Sequence, residues 1–407
     1  MEGPLTGVRV LDLTGYVAGP WCTRLLAGFG ADVVKVERPG GDPVRAWGPF
    51  PGDVPDPEQG ALHLYLNQSK RSVVLDFESE DGREALRALV ARADVLVESY
   101  RPGTLARWGL GYEQVARDHP ALLYVSITDF GQDGPYRDHA AWEITAYALG
   151  GLMYLNGEPD REPLKNGGYL GAYGAGQNAF NAVLTGLWER GGSGLGQHVD
   201  ISIHESVASL LEWYDMAWIY AGRLVARAGN GARAAWGVYP AADGYVGVVS
   251  GPPRRWARIA ELVEVPELAS ERFMASGAQA TLRDEIDALM LPYLVTHPKE
   301  ETYHRAQALG LPFGFVATPA DFFVSEQLAH RGFFQPMTHP VAGTFRTPTV
   351  AAKFTDGLWS QSPAPRLGAH TEAVLREALG EGDARVERLV ARAGARATEG
   401  APVEGAR

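Results

Sequence analysis

The N-terminal half of the chain alternates short apolar runs with stretches of helical periodicity. Strands that alternate with helices are typical of a parallel sheet covered by helices on both faces. We therefore predict an open, mostly parallel α/β sheet. The apolar runs predict buried strands over residues 8–13, 32–36, 72–76, 95–98 and 122–127, and the periodic stretches predict helices over 21–29, 80–93, 105–108 and 112–117.

The middle of the chain is glycine-rich, and the segments that follow it have helix and strand patterns. Residues 150–178 predict a loop-dominated segment before one apolar, buried helix over 179–189. A strand over 197–203 and an amphipathic stretch over 204–224 follow. Residues 239–249 alternate around Asp243-Gly244, which predicts a hairpin.

The C-terminal half predicts a second, smaller domain. Residues 254–331 are mostly helical in pattern, residues 332–354 resemble returning strands, and the Ala/Gly/Glu/Arg-rich end is typical of a flexible tail. We expect a large α/β domain over 1–225, a small α+β domain over 226–330, a return to the large domain over 331–392, and a flexible tail over 393–407.

Composition and charge narrow the class of function. The 407 residues include 37 basic and 49 acidic side chains, so the formal charge is −12 and a nucleic-acid partner is not expected. Cys22 stands alone, which excludes an internal disulfide. With no apolar run long enough for a membrane span and no signal-peptide pattern, we expect a cytoplasmic protein without membrane contact.

Common catalytic and cofactor motifs are absent. The chain contains no G-x-x-x-x-G-K-[ST], no G-x-S-x-G and no H-E-x-x-H, and the turn after the first strand lacks the G-x-G-x-x-G order. His198 and His204 span a predicted strand and are interpreted as structural histidines, so no metal site is predicted.

Basic residues gather near the ends of predicted strands. Anionic ligands of open α/β sheets bind at the carboxyl ends of strands, beside helix N-termini. Arg38 and Arg101 fit this position directly, and such a cluster in an acidic chain favours a phosphorylated ligand. The full set is Lys35, Arg38, Lys70, Arg71, Arg101 and Arg107.

Longer segments carry a specific resemblance. The opening VRVLDLTGYVAGPWCTRLLAGFGADVVKVERPGGDPVR is similar to the start of class III CoA-transferases, the family that includes formyl-CoA transferase, carnitine CoA-transferase and α-methylacyl-CoA racemase. The resemblance continues in the family's order over residues 5–350, through LNQSKRSVVLDF, SYRPGTLARWGLGYE, VSITDFGQDGPY, WEITAYALGGLMYLNGEPDREP, GLGQHVDISIHES and AQALGLPFGFVATPADFFVSEQLAHRGFF.

The resemblance implies a Rossmann-like large domain made from both chain ends, a smaller domain and an interlocked dimer. It also implies CoA or acyl-CoA as a substrate, bound at the large domain with its thioester between the domains, a carboxylic acid as second substrate, and no covalently bound cofactor. The positions that it assigns to CoA binding are Val17, Ala18, Arg38, Lys70, Arg71, Ser99, Tyr100 and Arg107.

One departure from the family concerns catalysis. The family's transferases use an aspartate that attacks the thioester carbonyl, forms a mixed anhydride and then holds CoA as an enzyme thioester. The matching segment here reads Gly171-Ala172-Tyr173-Gly174, so the aspartate position is Ala172. No acidic residue lies within five positions on either side.

Three interpretations of Ala172 stay open. In the first, the chain is the non-catalytic subunit of a two-subunit transferase and pairs with an aspartate-bearing paralogue. In the second, it works as a homodimer with a displaced carboxylate, for which Asp129 and Glu143 are candidates. In the third, residue 172 is an alanine introduced in place of a natural aspartate.

Two further functions and several further residues fit parts of the sequence pattern. Alternatives are a structural subunit that only completes an intertwined dimer, and a racemase- or isomerase-like enzyme. His139 is a tempting base for racemase chemistry, but its register argues against that role. Trp21, Trp142 and Trp236 are candidate walls of an acyl pocket, while Cys22 is interpreted as a buried, inert thiol.

Overall fold

The computed structural model describes residues 3–230, 233–251, 255–275 and 277–397. Within those ranges no helix is both long and apolar enough to cross a membrane. The chain divides into two compact units. One comprises residues 1–152, 165–213 and 332–407, and the other comprises residues 153–164 and 214–331.

The first unit is built on a six-stranded sheet. Its order is β3-β2-β1-β4-β5-β6 and every pairing is parallel. The predicted open parallel sheet is confirmed, and its strand order is that of a Rossmann-like fold. The strands are β1 (Arg9–Leu13), β2 (Asp32–Glu37), β3 (Arg71–Val74), β4 (Val95–Glu98), β5 (Leu123–Thr128) and β6 (His198–Ser202).

Helices cover both faces of this sheet, so its central strands are buried on both sides. In β1, Val10 packs into one apolar cluster while Leu11 and Leu13 pack into another on the opposite face. The period-2 alternation of a strand produces this division. The helices between these strands and after β6 are α1 (Ala18–Gly28), α2 (Ala61–Leu66), α3 (Glu80–Val90), α4 (Thr104–Arg107), α5 (Tyr112–Asp118), α6 (Glu143–Leu149), α7 (Leu152–Leu155), which begins at the unit boundary, α8 (Leu170–Ser193) and α9 (Ile203–Ala208).

The second unit has its own apolar core, which surrounds Trp256 and Phe273. The predicted hairpin about Asp243 is present in its small antiparallel sheet. Its elements are α10 (Trp213–Ala221), which begins at the unit boundary, β7 (Trp236–Ala241), β8 (Gly244–Val249), α11 (Trp256–Leu262), α12 (Glu271–Met274), α13 (Ala278–Thr281), α14 (Arg283–Thr296), α15 (Lys299–Ala308), β9 (Gly314–Phe315), α16 (Pro319–Val324) and α17 (Glu326–His330).

The chain then returns to the first unit at residue 332. The returning segment forms a two-stranded antiparallel ribbon, β10 (Phe334–His339) and β11 (Gly343–Pro348), followed by α18 (Thr371–Leu379) and α19 (Ala384–Ala397). The predicted flexible tail over 393–407 begins inside α19, and its part beyond residue 397 lies outside the described residues. That the two units are separately folding domains stays a prediction.

One predicted boundary is wrong in an informative way. The glycine-rich segment was expected to be a loop up to residue 178, but α8 begins at Leu170. Its glycines permit close packing: a Cβ on Gly176 would lie 2.3 Å from the carbonyl oxygen of Ala18 in α1. Tertiary packing therefore outweighs the low helix propensity of glycine here.

Candidate active site

A cavity of about 310 Å³ opens at the carboxyl ends of β1, β4 and β5. The strand order reverses between β1 and β4, and this switch point is where open α/β sheets bind ligands. The loops after these strands line the cavity together with the segment before α6 and the first turn of α8. The lining residues are 15–19, Trp47, 99–102, 127–129, 137–143, Ala146, Tyr169, Ala172 and Ile203.

The loop after β1 is held by a buried ion pair. Lys35 Nζ lies 2.9 Å from Asp42 Oδ2 and donates a hydrogen bond to the carbonyl oxygen of Thr14 at 2.8 Å. Asp42 Oδ1 accepts a hydrogen bond from the backbone N–H of Tyr16. Tyr16 has a φ of +62°, a costly conformation for a bulky side chain. The pair Lys35–Asp42 therefore supports a strained loop that forms one wall of the cavity.

Lys70, expected near the phosphates of CoA, is buried beneath the cavity. Its Nζ lies 3.0 Å from Asp12 Oδ2 and donates further hydrogen bonds to Pro20 O and Asn67 Oδ1. Burial opposes ionisation of Asp12, but the nearby ammonium groups hold the pKa of that carboxyl well below its usual value. The structure therefore places Lys70 in an internal ion pair and does not bring it to the cavity.

Arg71 lies at the opposite edge of the sheet. It begins β3 and forms ion pairs with Asp32 at 2.6 Å and with Glu377 at 2.9 Å. Asp32 begins β2, so this cluster marks the amino ends of the strands. Because the cavity lies at the carboxyl ends, the structure does not bring Arg71 to it.

The remaining predicted CoA-binding residues lie in or beside the cavity. Val17 and Ala18 line it at the start of α1, and Ser99 and Tyr100 line it after β4. Ser99 Oγ accepts a hydrogen bond from the backbone N–H of Gly15, which joins the two loops at 3.0 Å.

Arginines surround the loop that follows β4. Arg38 packs over the ring of Tyr100, with its guanidinium carbon 5.4 Å from the ring centre. Arg101 lines the cavity. Arg107 and Arg137 approach the position that a Cβ on Gly103 would occupy, to 3.8 and 3.9 Å. We call Arg38, Arg101, Arg107 and Arg137 the arginine rim.

Ala172 lies in the first turn of α8 and lines the cavity, with its methyl group where the resemblance places the family's aspartate. A different carboxylate is close by. Glu143, the first residue of α6, accepts hydrogen bonds from the backbone N–H groups of Gly171 at 2.9 Å and Ala172 at 3.0 Å. Tyr169 offers no side-chain cap, so Glu143 satisfies these free N–H groups of the helix and benefits from its dipole.

Asp129, the other displaced candidate, follows β5 and lines the same cavity. Burial raises the pKa of its carboxyl, while a hydrogen bond from the backbone of Ala141 and the charge of Arg101 oppose that rise. The structure thus brings Asp129, Glu143 and Ala172 to one cavity.

A buried carboxyl lies directly beneath the loop after β4. Glu98, the last residue of β4, accepts a hydrogen bond from the backbone N–H of Tyr100 at 2.8 Å. Burial raises the pKa of Glu98 to about 7, although hydrogen bonds from Ser126 and Tyr100 oppose the rise. Ser126 also bonds to His198 at 2.9 Å, so His198 belongs to this internal chain of polar groups.

Four aromatic residues form a wall that the sequence interpretation largely missed. We call Tyr16, Trp47, Trp142 and Tyr169 the aromatic wall. All four line the cavity, and their ring centres are 5.2 to 6.0 Å apart in the pairs Tyr16–Trp142, Tyr16–Trp47, Trp47–Trp142 and Trp47–Tyr169. They come from separate loops, so local sequence carried no signal that would group them.

The other side chains that the sequence analysis names as candidates are Trp21, Trp236, His139 and Cys22. Trp21 packs against Tyr65 and Tyr173, and Trp236 belongs to the second unit. His139 lines the cavity and stacks on the ring of Tyr136. Cys22 is fully buried, and burial raises the pKa of its thiol, so it is no thiolate nucleophile.

The parallel sheet with a cavity at its switch point defines an α/β protein with the ligand-binding geometry of open sheets. The chain belongs to CoA-transferase family III, whose model matches residues 5–371. The predicted family is therefore confirmed.

Characterised relatives and a solved structure support the assignment over nearly the whole chain. The mouse succinyl-CoA:glutarate CoA-transferase is 30% identical, with 95% of this chain and 89% of that protein covered. The beta subunit of succinyl-CoA–L-malate CoA-transferase from Chloroflexus aurantiacus is 32% identical, with coverages of 95% and 96%. The crystal structure of a CAIB/BAIF family protein from Brucella suis superposes with a TM-score of 0.85 at 32% identity, covering 93% of this chain and 100% of that one.

Proposed function

We propose that this chain binds a CoA thioester in the switch-point cavity and takes part in CoA transfer between carboxylic acids as one subunit of a complex. The arginine rim is the observation that carries the CoA part of this proposal. Arginine guanidinium groups match phosphate oxygens with paired donors, and the phosphorylated end of CoA needs such partners. In this arrangement the thioester extends from the rim toward Ala172.

The backbone of the cavity suits the pantetheine arm of CoA. Val17 and Ala18 present small apolar side chains at the start of α1, and Ser99 and Tyr100 face them across the switch point. Lys70 and Arg71 are not part of the proposed site, because the first is internally paired and the second lies at the other edge of the sheet. In the proposed site, Arg101 and Arg137 contact the phosphates of CoA in place of Lys70 and Arg71.

Catalysis requires a carboxylate that attacks the thioester carbonyl and expels the CoA thiolate. Ala172 supplies none. Glu143 is poorly suited as the nucleophile, because both its carboxylate oxygens accept hydrogen bonds from the amides of α8. Acylation of one oxygen would remove the negative charge of Glu143 and weaken its capping of the helix. We therefore propose that an aspartate-bearing partner chain supplies the nucleophile. That one relative is a beta subunit supports this proposal.

A second candidate is a chain that is active alone through Asp129. Its position in the cavity beside Arg101 supports this alternative. The two accounts differ in whether the isolated protein forms a covalent intermediate.

The experiment incubates the purified chain with acyl-CoA donors and then with hydroxylamine, and measures intact mass and CoA release. The proposal predicts no covalent adduct and no transfer by the isolated chain. Transfer that requires a co-expressed, aspartate-bearing paralogue would support it. An adduct on wild-type protein that disappears in Asp129→Asn would contradict it and favour the second candidate.

A further inference from the structure

The aromatic wall occupies the end of the cavity that the proposed function assigns to the acyl group. Tyr169 precedes α8 directly, and Ala172 lies in the first turn of that helix. Trp142 is the residue immediately before Glu143, whose carboxylate binds that turn. Tyr169 and Trp142 are therefore adjacent in sequence to the groups that form and cap the first turn of α8, and Trp47 stacks on Tyr169.

The geometry of the wall leaves ring surface available to a ligand. Trp142 is 48% exposed and meets the ring of Tyr16 edge-on, with centres 5.2 Å apart and an interplanar angle of 83°. Trp47 and Tyr169 are nearly parallel, at 20°, with centres 6.0 Å apart. Rings in these arrangements present both faces and edges. An aromatic group of a ligand can stack on the faces and pack edge-to-face against the edges.

The backbone of Tyr16, one residue of the aromatic wall, is strained. Tyr16 keeps a positive φ because Asp42 accepts a hydrogen bond from its backbone N–H, while Lys35 donates one to the carbonyl oxygen of Thr14 in the same loop. A costly conformation that its surroundings enforce is typical of ligand-binding positions. The strain places an aromatic ring in the cavity.

Charge at this end argues against a dicarboxylate. The proposed function assigns the cavity-lining arginines, Arg101 and Arg137, to the phosphates of CoA, so they are not available to a second carboxylate on the acyl group. Glu143, which follows Trp142 directly in the chain, contributes a carboxylate to the same cavity. A second carboxylate on the acyl group would meet apolar rings and a like charge there.

We infer that the acyl subsite of this chain takes an aromatic acyl group in preference to a dicarboxylic one such as the succinyl group named for the mouse and Chloroflexus relatives. The inference rests on the proposed function, because it requires CoA to lie with its thioester near α8. It identifies the aromatic wall as the specificity-determining element.

The experiment measures the affinities of free CoA, phenylacetyl-CoA and succinyl-CoA for the wild-type protein by calorimetry. The inference predicts that phenylacetyl-CoA binds about tenfold more tightly than succinyl-CoA. This comparison needs no variant. Succinyl-CoA that binds as tightly as phenylacetyl-CoA, while free CoA binds, would overturn the inference and leave the proposed function intact. Binding of none of the three would reject the proposed function itself.

Two variants then test the wall directly. Trp142→Ala should weaken phenylacetyl-CoA binding about fivefold more than it weakens free-CoA binding. The matched control is Trp188→Ala, a tryptophan on α8 that is 87% exposed and does not line the cavity, and it should leave the preference unchanged. Equal loss of free CoA and phenylacetyl-CoA in Trp142→Ala would show that the wall contacts CoA itself and would overturn the inference.

Discussion

The carboxylate of Glu143 lies 3.0 Å from the backbone nitrogen of Ala172. A negative charge therefore stands at the N-terminus of α8 although residue 172 contributes none. The N-terminal N–H groups of a helix stabilise such a charge. The position at which the resemblance expects an aspartate therefore lies beside a carboxylate from another segment.

Ala172→Asp restores a carboxylate at this position. If the rest of the site is intact, this variant should transfer CoA between acids, whereas the wild-type chain alone should not. The measurement is CoA release and a hydroxylamine-sensitive adduct, located by peptide mapping. The matched control is Gln177→Asp, further along α8, where the exposed side chain does not line the cavity. A folded, CoA-binding but inert Ala172→Asp protein would count against the lost-nucleophile account.

Glu143→Ala removes the cap of α8. Loss of a helix N-cap costs about 1–2 kcal/mol, so the free energy of unfolding should fall by that amount in urea titrations. Glu143→Gln retains one acceptor oxygen and should lose less. Asp133→Ala, in an exposed loop, serves as the control and should change stability little. An unchanged stability in Glu143→Ala would show that the two hydrogen bonds contribute nothing.

Lys70→Met separates the internal role of this lysine from a role in phosphate binding. Removal of Lys70 leaves Asp12 buried without its partner, which costs about 3–5 kcal/mol. Arg71→Ala should cost about 1 kcal/mol or less, because its partners are half-exposed. Thermal and urea unfolding measure both. A Lys70→Met protein of normal stability with weakened CoA binding would return Lys70 to the ligand site.

Glu98→Gln tests the buried carboxyl beneath the cavity loop. The pKa of Glu98 is raised from 4.5 to about 7, so the folded state binds more protons than the unfolded state between these values. The free energy of unfolding of the wild-type protein should therefore decrease by about 3 kcal/mol, owing to Glu98, as the pH rises from 4.5 to 7.

Glutamine carries no charge, so the stability of Glu98→Gln relative to wild type should rise over the same interval. Unfolding is measured at pH 5 and pH 8, with the exposed Glu261→Gln as control. A difference between Glu98→Gln and wild type that does not change with pH would contradict the raised pKa.

The sheet could be predicted because each buried parallel strand has a local sequence signal, a short apolar run. The five predicted runs match β1 to β5 within two residues at each end. The start of α8 could not be predicted, because Gly171, Gly174 and Gly176 lower the helix propensity of this segment. Two of these glycines, Gly171 and Gly176, pack closely against distant elements of the fold, which the local sequence does not show. For the same reason sequence placed Lys70 at the ligand: its partner Asp12 is 58 residues away.

Strand direction explains which of the candidate residues line the cavity. Residues after a strand, such as Ser99, Tyr100 and Asp129, reach the carboxyl edge and line the cavity. Arg71 begins a strand and so lies at the other edge. The aromatic wall draws on segments that meet only in the folded chain, and no local pattern could assemble it.

The most direct test of CoA binding at the switch point is a calorimetric titration of the purified chain with free CoA. The account predicts saturable binding that Arg101→Ala weakens about tenfold and that Arg71→Ala leaves unchanged. No heat at millimolar CoA, or an Arg71→Ala loss equal to that of Arg101→Ala, would contradict it.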